Sequence, residues 1–176
     1  MRIKKCNKCL IAGCKRSRVL GEGSTPADIL FIGEAPGKSE DLMGVPYVGP
    51  SGVLLKRMID DATNRLGLTG APSYFVTYMI QCRPYIQDVQ VEDYFEYREP
   101  SKEEVLNCMP NLLDEVQRVK PKVVIFIGKL AEKFYGKEFA VHSKILPLDF
   151  LVKFGGPASP NYLSTVRLIM EAIEQI

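Results

Sequence analysis

No apolar run in these 176 residues approaches the roughly 20 needed to cross a bilayer as a helix, so a spanning helix is not expected. The opening Met1-Arg2-Ile3-Lys4-Lys5 lacks the apolar stretch of a secretory signal. The expected location is the cytoplasm (with the nucleoid in a bacterium, or the host cytoplasm for a viral protein), where cysteines stay reduced or bind metal. No acid precedes Glu22, whereas Arg2, Lys4, Lys5, Lys8, Lys15, Arg16 and Arg18 do. Such a basic segment is either a solvated face or a contact for a polyanion. There is no internal repeat, no low-complexity tract and no composition break marking a second domain. Residues 1–176 are therefore read as one domain, with a cysteine-bearing N-terminal segment over residues 1–25.

What is present fits a soluble domain with a sizeable core, since 46% of residues are hydrophobic and 25% charged. Ala27 to Gly33 reads as a buried strand ending at a glycine, and Glu34 to Pro50 as a long Gly/Pro-rich loop. Ser51 is the expected N-cap of a helix carrying Leu54, Leu55, Met58, Ile59 and Ala62. Tyr74 to Ile80 reads as a second strand, and residues 83–100 as an extended loop. Ser101-Lys102-Glu103-Glu104 is a capping-box signature for the next helix, in which Pro110 predicts a kink or break. Lys122 to Gly128 is the clearest strand, followed by a helix from Lys129 to Tyr135. Leu148 to Phe154 is a weaker fourth strand, and Asn161 to Gln175 a last amphipathic helix. Strands alternating with helices predict a three-layer α/β/α sandwich around a mostly parallel four-stranded sheet. Ligands bind such sheets at the loops on the carboxyl ends of the strands.

The five cysteines are Cys6, Cys9, Cys14, Cys82 and Cys108. Cys6 and Cys9 form a C-x-x-C pair, which can present two thiolates to one metal or act as a redox pair. Cys82 follows a predicted strand and Cys108 lies on a predicted helix. Four thiolates suit either Zn²⁺ or an iron–sulfur cluster, while Cys82 and Cys108 also read as small buried residues.

Beside these cysteines stands the stretch Gly33-Glu34-Ala35-Pro36-Gly37-Lys38-Ser39-Glu40-Asp41, followed by Gly44-Val45-Pro46-Tyr47-Val48-Gly49-Pro50-Ser51-Gly52. It closely resembles the family 4 uracil-DNA glycosylases, whose pattern is G-E-x-P-G-x-x-E-D and then G-x-P-F-V-G-x-x-G. Gln81-Cys82-Arg83-Pro84 and Pro121-Lys122-Val123-Val124 extend the likeness from Cys6 to about Ala131. The resemblance implies flipping of a base out of DNA, single- or double-stranded, and hydrolysis of its N-glycosidic bond. It implies a base pocket lined by Gly33, Glu34, Ala35, Pro36 and Gly37, where close backbone N–H groups stabilise the leaving base. Tyr47 stands where the family has the Phe that stacks on the base, and keeps an aromatic face. Glu40 and Asp41, with Glu34, are the implied catalytic carboxylates, orienting water or stabilising a cationic sugar. Cys6, Cys9, Cys82 and Cys108 map to the ligands of a structural [4Fe–4S] cluster, with Zn as the alternative, and Cys14 is a spare thiol.

The sequence also departs from that pattern. Tyr78 occupies the place, four residues before Cys82, where the family has a base-reading Asn, and tyrosine lacks the paired donor and acceptor of an amide. The family's His-Pro-Ser motif aligns with Gly156-Pro157-Ala158 or with Ser159-Pro160-Asn161, neither of which supplies a histidine. The single histidine, His142, reads as a loop residue or as a replacement through an altered loop. Asp88 to Pro100, with Tyr94, Phe95 and Tyr97, lengthens the usual spacing and is read as a loop near the DNA or as surface decoration. Two functions follow. One is a DNA glycosylase acting on uracil or another modified or damaged base, with Tyr78 reshaping the base-binding pocket. The other is a non-catalytic relative that binds DNA, or a protein partner through the 88–100 loop.

Overall fold

The computed structural model of the chain describes residues 6, 8–9, 18–87, 95–135, 143–146 and 159–176. Its centre is a five-stranded sheet. In order across the sheet, the strands are β1 (Glu22–Gly23), β3 (Tyr74–Tyr78), β2 (Ile29–Gly33), β6 (Val123–Ile127) and β7 (Ser143–Leu146), with β4 (Tyr85–Gln87) and β5 (Phe95–Tyr97) outside it. β3, β2, β6 and β7 run parallel, and the two-residue β1 adds an antiparallel edge to β3. The expected mostly parallel sheet is thus present, with one short edge strand more than the four expected.

β2 and β6 are buried at every position, as near-continuous apolar runs between two helical layers must be. Side chains alternate across the sheet. Ile29, Phe31, Val123, Ile125 and Ile127 pack with Leu55, Met58 and Ile59 of α2 (Pro50–Arg65) and with Tyr162, Val166 and Ile169 of α5 (Pro160–Ile173). Leu30, Ile32, Val124 and Phe126 pack on the opposite face with Val105 and Leu112 of α3 (Lys102–Val119) and Ala131 and Tyr135 of α4 (Lys129–Tyr135). The α/β/α sandwich follows directly from this alternation. No helix among the described residues is long and apolar enough to cross a membrane.

Several local expectations are corrected. The stretch read as loop from Glu34 to Pro50 contains a helix, α1 (Lys38–Met43), ended by Gly44 in the left-handed conformation at φ 68°. α2 is capped at Gly49 rather than Ser51, because Pro50 suits the first helical position, where no N–H is needed. Residues 83–100 are not a plain loop but include a hairpin of β4 (Tyr85–Gln87) and β5 (Phe95–Tyr97). α3 runs unbroken through Pro110, whose exposed position leaves the carbonyl of exposed Leu106 within reach of water. The strand beside β6 is β7, and the expected strand at Leu148 to Phe154 lies outside the described residues, as do Cys14, Tyr94 and His142.

The capping box is formed as the sequence predicts. The Glu104 N–H donates to Ser101 Oγ at 3.2 Å and the Ser101 N–H donates to Glu104 Oε2 at 2.7 Å. Ser101→Ala is expected to cost about 1 kcal/mol. In a chain of this size that lowers the melting temperature by about 2–4 °C. Thermal denaturation checks this, and an unchanged midpoint would contradict the cap's role.

Candidate functional site

β2 and β6 are neighbours whose onward connections part to opposite faces of the sheet, the first through α2 and the second through α4. Such a parting leaves a crevice at the carboxyl ends of the strands, where ligands of open parallel sheets bind. Glu34 stands there, one residue past β2, and its Oε1 accepts the Leu130 N–H across the crevice at 3.4 Å. Its carboxyl titrates above the ordinary range, first because of burial, with Glu99 adding to the rise and the Leu130 N–H opposing it. Tyr97 of the hairpin lies close enough for Glu34 to act on it. Its phenol is pushed up to about 12, by burial first and then by Glu34 and Glu99. The β4–β5 hairpin therefore borders the crevice, and Arg98 ties its base to α3 through hydrogen bonds of 2.5 and 2.8 Å to the Glu104 carboxylate.

The segment between β2 and α2 folds back on itself around Glu40. That side chain is 5% exposed, and its Oε1 accepts the Gly49 N–H at 2.7 Å. The carboxylate thus serves the start of α2, where the helix dipole favours negative charge. Asp41 is half-buried, in the first turn of α1. Two residues before Gly49, Tyr47 holds a left-handed backbone at φ 54°, uncommon for a residue with a bulky side chain and a mark of local strain. Its carbonyl packs onto Gly52, where an added Cβ would lie 1.5 Å from the oxygen, so only glycine fits.

Tyr47 and Tyr78 form a stacked pair, with ring centroids 4.9 Å apart and planes 7° from parallel. The Tyr47 N–H also donates to the Tyr78 hydroxyl at 2.9 Å. The Tyr47 hydroxyl reaches over Gly33, where an added Cβ would lie 2.2 Å away, and it is enclosed without a hydrogen-bond partner among the described residues. Burial first, then Tyr78, Glu40 and Glu34, keep the Tyr47 phenol well above its usual range and therefore neutral. Gly33, Glu34, Tyr47 and Tyr78 are thus gathered at the carboxyl ends of β2 and β3, with Glu40 behind them. A wider groove lies beyond Tyr47, along α2 and the β1–β3 edge, but neither Glu34 nor Glu40 lines it.

Cys6, Cys9, Cys82 and Cys108 line one cavity with Lys8, Arg18 and Asn111. All four are half-buried free thiols. Asn111 Nδ2 donates to Cys108 Sγ at 3.6 Å. Burial first, and then Cys108, Cys9 and Cys6, push the Cys82 thiol up to about 12. Among the described residues no three His, Cys, Asp or Glu side chains are gathered so as to hold a metal ion. Lys8 comes with the C-x-x-C pair that encloses it, whereas Arg18 and Asn111 carry no sequence signal that would have placed them here.

Of the two alignments for the missing His-Pro-Ser motif, Ser159-Pro160-Asn161 forms the start of α5. Ser159 Oγ there accepts the Tyr162 N–H at 3.3 Å. Gly156-Pro157-Ala158 lies outside the described residues.

Residues 20–170 match a sequence model of the uracil DNA glycosylase superfamily. The type-4 uracil-DNA glycosylase of Saccharolobus solfataricus is 35% identical over 136 residues, covering 77% of this chain and 56% of that protein. That of Sulfurisphaera tokodaii is 30% identical over 180 residues, covering 94% of this chain and 76% of its own. That of Thermotoga maritima is 29% identical over 189 residues, covering 99% and 88% respectively. The chain thus spans little more than half the length of the first of these relatives.

The raised carboxyl of Glu34 has a consequence for stability. A group that binds its proton more tightly in the folded state favours folding below its unfolded pKa, and loses that contribution as pH rises through the folded value. Glu34→Gln is therefore expected to melt higher than the parent at neutral pH and to match it below the ordinary carboxylate range. Melting curves across pH check this; a difference of equal size at both ends would contradict it.

Proposed function

We propose that this chain, which belongs to the uracil DNA glycosylase superfamily and to its type-4 branch, excises uracil or another modified base from DNA. The observation that carries the reading is the crevice at the carboxyl ends of β2 and β3. An aromatic platform (Tyr47), a close-approach glycine (Gly33) and a half-buried carboxylate (Glu34) converge there. A flipped base needs a flat apolar face to replace its lost stacking, and Tyr47 offers one. Breaking the N-glycosidic bond puts negative charge on the leaving base and positive charge on the sugar.

Glu34 is the carboxylate best placed to meet the sugar or to orient water, since it borders the crevice. Its raised pKa matches a group held partly out of water for that purpose. Glu40 braces the platform loop through Gly49 and adds negative charge behind it, which favours a cationic sugar without contact. Asp41 shares the first turn of α1 with Glu40 and is read as a second contributor to that field. Backbone N–H groups of the stretch Glu34, Ala35, Pro36 and Gly37, where proline has none to give, are the implied donors to the leaving base.

The four-thiol cavity fits a [4Fe–4S] cluster held by Cys6, Cys9, Cys82 and Cys108. A cluster held there would take one thiolate from each of the four cysteines that line the cavity. Held by these four cysteines, a cluster would staple the N-terminal segment to the β3 connection and to α3. Arg18 and Lys8 at the same cavity suit its negative charge.

Base release from uracil-containing oligonucleotides by anaerobically purified protein, with abasic sites cut by alkali, tests the reading. The parent is expected to cleave at uracil, and Glu34→Gln to slow release by about 10²–10⁴-fold, the usual contribution of a positioned acid or base. No cleavage by the parent would refute excision, and an unimpaired Glu34→Gln would refute the role of Glu34. Iron analysis should find about four irons per chain with broad visible charge-transfer absorption, both lost in Cys82→Ser. One zinc per chain and a colourless protein would overturn the cluster.

A further inference from the structure

Tyr78 differs from the other residues of the crevice in what it does to the space. It is 4% exposed, and its ring lies flat on Tyr47 at a centroid separation of 4.9 Å and an angle of 7°. Offset-parallel stacking at that distance is what a planar base would adopt on the same platform. The Tyr78 hydroxyl accepts the Tyr47 N–H at 2.9 Å, a hydrogen bond that fixes the ring in place. One ring carbon of Tyr78 lies 3.1 Å from where a Cβ at Gly33 would be, so the ring also closes over the glycine that the base must approach. A ring held flat, hydrogen-bonded at its far end and buried is not a spectator.

We infer that Tyr78 occupies the place of the flipped base, and that a base gains the pocket only by displacing this ring from Tyr47. The inference rests on Tyr47 being the stacking platform proposed above. It makes Tyr78 the residue that determines access and specificity. Displacing it frees the Tyr47 N–H, a half-buried donor that is costly to leave unpaired. A base with an exocyclic carbonyl, such as uracil, hypoxanthine or xanthine, supplies the acceptor that the tyrosine hydroxyl had supplied. Adenine, with no carbonyl, replaces the lost acceptor less well.

The experiment compares the parent, Tyr78→Ala and Tyr78→Asn for binding of free uracil by calorimetry and for base release from uracil-containing oligonucleotides. Melting temperature and visible absorption establish that each variant is folded. The expected result is weak or undetectable uracil binding by the parent, at least tenfold tighter binding by the variants, and faster release by at least the same factor. A folded variant that binds uracil no better than the parent overturns the inference. Tighter binding with no release from any form supports Tyr78 as the occupant and counts instead against excision.

Should both variants fail to fold, the parent chain carries 3-fluorotyrosine, with the Tyr78 resonance identified by its loss in Tyr78→Phe. That resonance is expected to shift when a saturating uracil-containing oligonucleotide is added, and to shift less with an adenine-only strand. A Tyr78 resonance unmoved in the uracil complex overturns the inference.

Discussion

The candidate site depends on a single buried hydrogen bond, from the Gly49 N–H to the carboxylate of Glu40. It closes the segment between β2 and α2 from the inside and fixes where α2 begins. With that end held, the chain reaches Tyr47 in a left-handed conformation and lays its carbonyl against Gly52. Only then does the Tyr47 ring lie over Gly33 and flat on Tyr78. A carboxylate is suited to this task because it accepts a charge-assisted hydrogen bond at the positive end of a helix. The same charge bears on the neighbouring crevice, so one residue both braces the loop and shapes the field.

A second set of contacts brings the N-terminal segment to the other side of β3. The Val19 N–H donates to the Gln81 carbonyl at 2.7 Å, and Arg18 Nε donates to the Gln81 side chain at 2.9 Å. Gly21 N–H and Thr77 Oγ1 both donate to the buried carboxylate of Glu115, at 3.0 and 2.5 Å. Strand, helix and N-terminal segment thus meet at polar groups that satisfy one another away from water. The four thiols converge next to this junction, and Cys82 lies only four residues beyond Tyr78 in sequence. The cysteine cavity therefore lies beside the strand end that carries Tyr78.

Much of the fold is legible in the sequence because burial on both faces leaves a plain signature. Ile29 to Gly33 and Val123 to Ile127 are uninterrupted apolar runs ending at glycines, and they are the central strands. The Ser101–Glu104 box marks α3 for a similar local reason. α1 escapes such reading because it has six residues, a glycine at each end and no apolar period. The three-residue strands of the hairpin are too short to show alternation. Pro110 misleads because its penalty depends on whether the orphaned carbonyl can reach water, which sequence does not encode. At the site, the motif identifies Gly33, Glu34, Glu40 and Tyr47 as neighbours in a loop. The stacking of Tyr47 on Tyr78, 31 residues away, and the approach of Leu130 to Glu34, 96 away, exist only in three dimensions.

Under the proposed function, a base lifted from DNA comes to rest on Tyr47, above Gly33 and beside Glu34. The most direct test is a crystal structure of the chain with an oligonucleotide bearing 2′-fluoro-2′-deoxyuridine, whose glycosidic bond resists cleavage. The expected result is the uracil ring stacked on Tyr47, with the Tyr78 side chain turned away from its present position. A uracil still stacked within the DNA, or lodged in the groove between α2 and the β1–β3 edge, would contradict it.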